Sequence, residues 1–198
     1  MSDEYDPTRR MLITALAGLT LGSMTLAPAA SGASGGNTPG SGRTLVVWFS
    51  RSGNTRVIAG VIHRTLQTDI FEIEPATPYP LDYFKTVEQA KNERAGGIRP
   101  PLKNSVANIA QYQTVYLGFP VWGTSVPPVV QTFLTTHNLA GKMLIPFITH
   151  GGYGPGDSSE ILASLAPAAR REKPLVMECD QERRTTETVA SWLKTVQS

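Results

Sequence analysis

The sequence is poor in cysteine, with one residue, Cys179, in a chain of 198. A single cysteine cannot form an internal disulfide, and it excludes the zinc and iron–sulfur sites that need several thiolates. Because Cys179 ends an apolar run, we interpret it as a buried, unreactive thiol on a strand. The sequence implies no metal site.

Blocks of like charge are also lacking. The chain has 18 Lys and Arg residues against 16 Asp and Glu residues, which gives a formal net charge of +2. Since there is neither a basic stripe nor an acidic tail, no binding to nucleic acid is predicted. With 40% hydrophobic residues, a chain of this length is long enough for one domain with an ordinary core.

Residues 1–41 do not have the pattern of a folded domain. Arg9 and Arg10 precede an apolar run from Met11 to about Ala27, and a spacer rich in Gly, Ser and Pro follows. The run is short and rich in Thr, Gly and Ser for a membrane span, although an uncleaved anchor remains an alternative. We predict an export signal and flexible linker over residues 1–41, and one domain over residues 42–198.

The segment TRRMLI, which begins at Thr8, resembles the twin-arginine export signature, in which Ser or Thr precedes two arginines and apolar residues follow. An ordinary secretory leader that happens to carry two arginines is the alternative. The twin-arginine route exports folded proteins, so the resemblance implies the export machinery as a partner and a cofactor loaded before translocation. It also implies a protein exported across the cytoplasmic membrane, to a periplasmic or extracellular location.

From Thr44 onward, short apolar runs alternate with helical periodicity. Strands are predicted over the runs TLVVWF, DIFEIE, TVYLGF, KMLIPFIT and PLVMEC, which begin at Thr44, Asp69, Thr114, Lys142 and Pro174. Helices are predicted from the N-cap candidates Asn54 and Thr55 to Leu66, from Leu81 to Arg94, from Pro127 to Leu134, from Ser158 to Leu165, and around Val189 to Val196. This alternation predicts an open parallel sheet with helices on both sides.

Three loops rich in Gly and small polar residues follow predicted strands. They are SRSGNT after the first strand, PVWGTSVPP after the third and THGGYGPGDS after the fourth. In open parallel sheets, ligands bind beyond the carboxyl ends of the strands, where the strand order reverses. The three loops therefore predict the position of the site.

The first of these loops has the character of a phosphate-binding turn. Ser50 to Thr55 places successive backbone amides and three hydroxyls at the start of a helix, where the amides and the helix dipole favour an anion. The loop has no G-x-G-x-x-G dinucleotide motif, no Walker lysine and no phosphatase cysteine. A capped turn without a ligand is the alternative interpretation.

Three segments, VVWFSRSGNTRVIAGVI, GFPVWGTSVPPVVQTFL and PFITHGGYGPG, resemble the flavin-binding segments of flavodoxin-like proteins, especially the branch with an S-R-T/S-G-N-T loop. The resemblance extends from about Leu45 to Trp192. It implies a flavodoxin-like three-layer sandwich, with a five-stranded parallel sheet in the order 2-1-3-4-5. It also implies FMN bound between strands one and three.

The resemblance also implies which residues bind FMN. The phosphate would be held by Ser50, Arg51, Ser52, Gly53, Asn54 and Thr55. One side of the isoalloxazine ring would be lined by Pro120, Val121, Trp122, Gly123 and Thr124. The other side would be approached by Thr149, His150, Gly151, Gly152 and Tyr153. Many close relatives have two successive tryptophans where this chain has Trp122 alone, so the second aromatic contact is not predicted.

These observations predict an exported FMN redox protein that transfers electrons to a small acceptor such as a quinone, or to a redox partner protein. After the leader's two arginines and three acidic residues are subtracted, 16 basic residues remain against 13 acidic ones, a charge of +3. Electron-shuttle flavodoxins are usually acidic, so an oxidoreductase is favoured here. The alternatives are a flavin-free binding module of this fold and a serine hydrolase that uses the HGGYG loop, His150 and Asp157, although no G-x-S-x-G elbow is present.

Overall fold

The structure is a computed structural model of the chain, and it describes residues 42–179 and 182–196. All described residues belong to one compact unit. The predictions for the leader and its linker lie outside the described residues.

The sheet has the predicted parallel order. The described strands are β1 (Arg43–Trp48), β2 (Asp69–Glu72), β3 (Tyr112–Pro120), β4 (Met143–His150), β5 (Arg170–Arg171) and β6 (Leu175–Glu178). Strands β1 to β4 pair in the order 2-1-3-4, and the short strands β5 and β6 both pair with β4. The flavodoxin-like order 2-1-3-4-5 is therefore confirmed, with a sixth strand that was not predicted.

The additional strand divides the outer edge of the sheet into two pieces. Arg170 and Arg171 pair with the start of β4, whereas Leu175–Glu178, the predicted fifth strand, pairs with its end. Pro174 precedes β6 and has no N–H to donate to the ladder, so the edge is interrupted there. The pairing of β5 was missed because two exposed arginines carry no apolar pattern.

Within the described residues, five α-helices connect or follow the strands, with a short 3-10 helix (Ile109–Gln111) before β3. They are α1 (Asn54–Leu66), α2 (Tyr83–Ala95), α3 (Pro128–Thr136), α4 (Ser158–Leu165) and α5 (Glu182–Val196). None of the helices within the described ranges combines the length and the apolar character needed to cross a bilayer.

The two faces of the sheet bury separate apolar clusters. On one face, alternate residues of the central strands, such as Leu45 and Val47, pack with α3 and α4. On the other face, Val46 and Trp48 pack with Ile58 of α1 and with residues of α5. This alternation follows from the two-residue period of a strand, and it leaves the carboxyl edge of the sheet, between the two helical layers, open to a ligand.

The start of α1 differs in detail from the prediction. Gly53, rather than Asn54 or Thr55, occupies the N-cap position, with φ of +96° and no side-chain cap bond. Glycine adopts this left-handed conformation without the steric cost that a Cβ would add. Asn54 and Thr55 are instead the first residues of the helix.

Candidate functional site

A cleft of about 270 Å³ lies at the carboxyl edge of the sheet. The three predicted loops contribute to it, and α2 forms a further wall that was not predicted. The cleft is lined by Arg51, Ser52, Tyr83, Thr86, Val87, Ala90, Arg94, Pro120, Val121, Trp122, Gly123, Thr149, His150, Gly151 and Cys179.

The structure brings many of the sequence-predicted residues together at this cleft. Nine of them line it: Arg51, Ser52, Pro120, Val121, Trp122, Gly123, Thr149, His150 and Gly151. Seven do not: Ser50, Gly53, Asn54, Thr55, Thr124, Gly152 and Tyr153. Among these, Ser50 lines a neighbouring cleft, and the side chain of Tyr153 is 90% exposed.

The phosphate loop presents backbone amides at the start of α1. The Ser50 Oγ accepts a hydrogen bond from the Gly53 amide at 3.0 Å, which folds the loop back on itself. The first helical backbone bond runs from the Val57 amide to the Gly53 carbonyl at 3.1 Å. The amides of the residues between Gly53 and Val57 therefore lack an intrahelical acceptor and can bind an anion.

A buried hydrogen bond ties this loop to β4. The Thr55 Oγ1 and the Thr149 Oγ1 are 2.9 Å apart, and the two residues are only 1% and 2% exposed. Thr55 is the second residue of α1, while Thr149 is the penultimate residue of β4. The bond fixes the first turn of the helix against the strand that carries the third loop.

The Arg51 side chain extends from the phosphate loop toward the segment before α2. Its Nη2 donates to the Leu81 carbonyl at 2.7 Å, and its guanidinium carbon lies 5.6 Å from the centre of the Tyr83 ring. Arg51 thus joins two walls of the cleft through a hydrogen bond and a cation–π contact.

Trp122 belongs to an aromatic cluster that sequence reasoning did not identify. Its half-buried ring makes edge contacts with Phe49 and Tyr79, at centroid distances of 5.1 and 4.9 Å. Its backbone pairs in both directions with Ser125, so the loop after β3 forms a tight turn. Aromatic edge contacts of this kind hold a ring in a fixed orientation.

Arg94 of α2 closes the other side of this turn. Its Nη1 donates to the Trp122 carbonyl at 2.7 Å, and its guanidinium occupies the space that a Cβ on Gly123 would need. Gly123 has φ of +53°, so glycine is favoured there both by conformation and by space. The contact connects α2 to the loop that lines the cleft.

Glu93, next to Arg94, anchors the segment between β2 and α2. This buried carboxylate accepts hydrogen bonds from the Tyr79 hydroxyl at 2.8 Å and from the Gln89 Nε2 at 2.7 Å. Burial, together with the bond to Glu93, raises the pKa of Tyr79, which stays a neutral donor. The position of Tyr79 against Trp122 therefore depends on a polar contact from α2.

His150 lies at the start of the third loop, and its ring is held by backbone amides. Its Nδ1 accepts from the Gly152 amide at 3.1 Å and from the Gly154 amide at 3.2 Å. In this arrangement a neutral imidazole carries its proton on Nε2. A Ser-His-Asp triad instead needs an Nδ1–H that donates to a carboxylate, so His150 is not arranged for the hydrolase alternative.

Two parts of the cleft were missed in the sequence. The first is the wall formed by α2. Two exposed aromatic residues, Tyr83 and Phe84, are unusual on an otherwise polar helix, and they could have indicated in the sequence that this helix borders a binding site. The second is Cys179. Its predicted position as a buried thiol on a strand is wrong, because it follows β6, is half-buried and lines the cleft.

A second cleft, of about 470 Å³, adjoins the first and shares Arg51 and Trp122 with it. It lies beneath the proline-rich segment after β2. Partial burial and the nearby Glu74 carboxylate raise the pKa of Glu72 in its wall. Over the part of the chain that the structure describes, no cluster of His, Cys, Asp or Glu residues could hold a metal ion.

Similar structures agree with this architecture. A flavoprotein structure from Bacteroides uniformis is 30% identical, with a TM-score of 0.69 over 78% of this chain and 99% of its own. One from Bacteroides eggerthii is 28% identical, with a TM-score of 0.68 over 79% and 99%. A Lactobacillus acidophilus flavoprotein in complex with FMN shares the fold at 18% identity, with a TM-score of 0.60 over 74% and 99%.

Comparison with curated protein sequences gives no match. The model of one protein family, described as flavodoxin, matches residues 43–196, which include every strand and helix of the structure. The flavoprotein structures and the 2-1-3-4 order of the first four strands are consistent with that match. The chain therefore belongs to the flavodoxin family.

Proposed function

We propose that the protein binds FMN without covalent linkage in this cleft and acts as an oxidoreductase. The observation that carries the proposal is that a helix N-terminus suited to an anion follows directly after Ser52, which lines a tryptophan-walled, largely apolar cleft. FMN has the same two parts, a phosphate and a flat ring. The match of these two parts to the two parts of the site supports FMN.

The phosphate would be held at the start of α1. The free amides that follow Gly53 and the exposed hydroxyl of Ser52 would supply hydrogen bonds to its oxygens. Arg51 would add positive charge at the same end, and its contact with Tyr83 keeps the guanidinium beside the cleft. The side chain of Thr55 is buried and bonds to Thr149.

The ring would lie along the loop after β3. Pro120, Val121 and Trp122 give that wall an apolar and aromatic surface, while Gly123 lets the backbone approach closely. On the other side, the Nε2–H of His150 is available as a donor to a polar edge of the ring. The chain thus orients the ring and limits its contact with water.

FMN, when bound, would supply the electron transfer, so the chain itself needs few catalytic side chains. The acceptor that we propose is a small apolar molecule such as a quinone. Large apolar residues are exposed at the rim of the cleft, among them Leu81 at 98%, Phe84 at 78% and Tyr83 at 62%. Exposed apolar surface beside a cleft is typical of a binding site for an apolar group or for a partner protein.

An absorption spectrum of the purified protein tests the proposal. We expect the bands of oxidised flavin, and we expect acid precipitation to release FMN because no covalent linkage is proposed. Colourless protein that cannot be reconstituted with FMN would instead support the flavin-free binding module. For the acceptor, anaerobic reduction of the flavin followed by addition of a quinone should restore the oxidised spectrum.

We also propose that the leader exports the protein with FMN already bound. The double variant Arg9→Lys with Arg10→Lys preserves the charge of the leader, which an ordinary secretory route would tolerate. The twin-arginine route should reject it, so the variant should accumulate in the cytoplasm as FMN-bound precursor. Normal export of the variant would refute the twin-arginine proposal.

A further inference from the structure

The buried pair Thr55 and Thr149 contains one more donor than the described residues can satisfy. Each hydroxyl has one proton to donate, and the 2.9 Å bond between the two oxygens uses only one of them. Among the side chains and backbone groups that the structure describes, each hydroxyl has the other as its one hydrogen-bond partner. Buried donors without an acceptor are rare in folded proteins, so the second proton indicates a ligand.

Other helical threonines of this chain show what Thr55 does not do. In α3, Thr132, Thr135 and Thr136 each donate to the carbonyl four residues earlier, at 2.8 to 3.2 Å. A helical threonine normally satisfies its hydroxyl in this way when no other partner is present. Thr55 is the second residue of α1, so the residue four positions earlier, Arg51, precedes the helix, and the Thr55 hydroxyl bonds to Thr149.

We infer that Thr149 is a positioning residue for the phosphate of the bound ligand. Thr149 donates to the Thr55 oxygen, and this leaves the Thr55 proton for a phosphate oxygen. The distance between the two oxygens allows either hydroxyl to be the donor. We assign the phosphate contact to Thr55 because it lies in the first turn of α1, where the free amides also favour the anion. Consecutive hydrogen bonds polarise one another, so the bond that Thr149 donates strengthens the bond from Thr55 to the phosphate.

This inference rests on the proposed binding of FMN and gives Thr149 a new role. The resemblance to flavodoxin-like proteins implied that Thr149 approaches the ring. Thr149 lines the cleft, and the structure also connects it to the phosphate loop, 94 residues earlier in the sequence. A contribution to phosphate binding from the end of β4 is not visible in the loop motif itself.

The test compares FMN with riboflavin, which lacks the phosphate, by titrating each flavin with the apoprotein and following flavin fluorescence. Thr149→Val keeps the shape of the side chain but removes the hydroxyl, and it should weaken FMN binding by about tenfold or more. Riboflavin affinity should change by less than about threefold. Thr149→Ser, which restores the hydroxyl, should bind FMN within about threefold of the parent.

A double-variant cycle tests the connection between the two threonines. If Thr149 acts through Thr55, the double variant Thr55→Val with Thr149→Val should bind FMN no more weakly than Thr55→Val alone, within about threefold. This double variant replaces both partners of a buried hydrogen bond with groups of similar shape, so it should fold even where a single variant does not.

Three results would overturn the inference. They are unchanged FMN affinity in Thr149→Val, equal losses for FMN and riboflavin in a variant with the parent's melting temperature, and additive losses in the double-variant cycle. If the parent binds riboflavin and FMN equally well, or neither, the proposed function fails as well. If the parent binds FMN more tightly than riboflavin but Thr149→Val gives one of the three results above, only the role inferred for Thr149 is wrong.

Discussion

The two ends of the cleft are built in different ways. The phosphate end comes from six consecutive residues, Ser50 to Thr55, and it depends on backbone amides, small hydroxyls and one glycine with positive φ. The ring end combines residues from distant segments, among them Tyr79, Arg94, Trp122 and His150. Apart from the bond between Thr55 and Thr149, the phosphate end is therefore local in the sequence, whereas the ring end depends on tertiary packing.

This difference predicts how each end responds to mutation. At the phosphate end, exposed groups such as Ser52 contribute to ligand binding and little to the core. At the ring end, Trp122 packs against the buried Phe49, so the same side chain contributes both to binding and to folding. Comparing the effects on ligand affinity with the effects on apoprotein stability therefore distinguishes the two ends.

The largest effect is expected where the second and third loops meet. Gly156 has φ of +58°, and a Cβ there would lie 1.8 Å from the Thr124 carbonyl oxygen. Gly156→Ala should lower the free energy of unfolding of the apoprotein by about 3 kcal/mol or more, as measured by urea denaturation.

Gly141 provides the matched control for this substitution. It also has a positive φ, of +73°, but no atom lies within 4 Å of its Cβ position. Gly141→Ala should therefore lower the free energy of unfolding of the apoprotein by only about 1 kcal/mol, because only the backbone conformation is unfavourable for alanine. If the two variants lose the same free energy of unfolding, the contact between the second and third loops is not important for stability.

Trp122→Ala should produce the next largest effect, and it should lower both the stability of the apoprotein and its affinity for flavin. Loss of the aromatic contacts should reduce apoprotein stability by about 2 kcal/mol, and loss of the ring wall should weaken FMN and riboflavin equally, by about 1 to 3 kcal/mol. Trp122→Phe, which keeps an aromatic ring, should recover part of each loss. Weaker flavin binding with unchanged stability would contradict the dual role assigned to Trp122.

At the phosphate end, Ser52→Ala should weaken FMN binding by roughly 1 to 2 kcal/mol, because one hydrogen bond to a charged group is lost. Riboflavin affinity and the urea midpoint of the apoprotein should stay unchanged, since Ser52 is exposed. If Ser52→Ala lowers the affinity for riboflavin as much as the affinity for FMN, Ser52 does not bind the phosphate.

The smallest effect is expected from His137, which lies outside the cleft at the end of α3. Burial lowers its pKa below the ordinary value of 6.5, and its Nε2 accepts the Val106 amide at 3.1 Å. Protonation therefore favours the unfolded chain, so this contribution to stability is complete above about pH 6.5 and is lost as the pH falls toward the folded-state pKa.

Urea denaturation between pH 7 and pH 5 measures this effect, and His137→Gln should reduce the pH dependence. The phosphate of FMN itself titrates at about pH 6, so FMN affinity is compared between the parent and His137→Gln at each pH. The two should change with pH in the same way, because His137 does not line the cleft. A weaker pH dependence of FMN affinity in His137→Gln would show that the cleft is coupled to α3.

Local patterns in the sequence predicted much of the fold but less of the site. All five predicted strands were identified, most clearly β1, β3 and β4, because burial on both faces leaves a continuous apolar run. By contrast, β5 consists of the exposed residues Arg170 and Arg171, which pair only because β4 lies beside them. Likewise, Arg94 resembles any basic residue on a polar helix until the fold places it against the Trp122 carbonyl.

The sequence by itself determined the parallel sheet, the three loops at its carboxyl edge and the local chemistry of the phosphate loop, since all of these depend on residues close together along the chain. Only the tertiary structure decided that α2 would wall the cleft, that Cys179 would line it and that Thr149 would bond to Thr55. These contacts join residues far apart in the sequence. No periodicity or motif encodes such a pairing, because it exists only once the sheet and its helices have packed together.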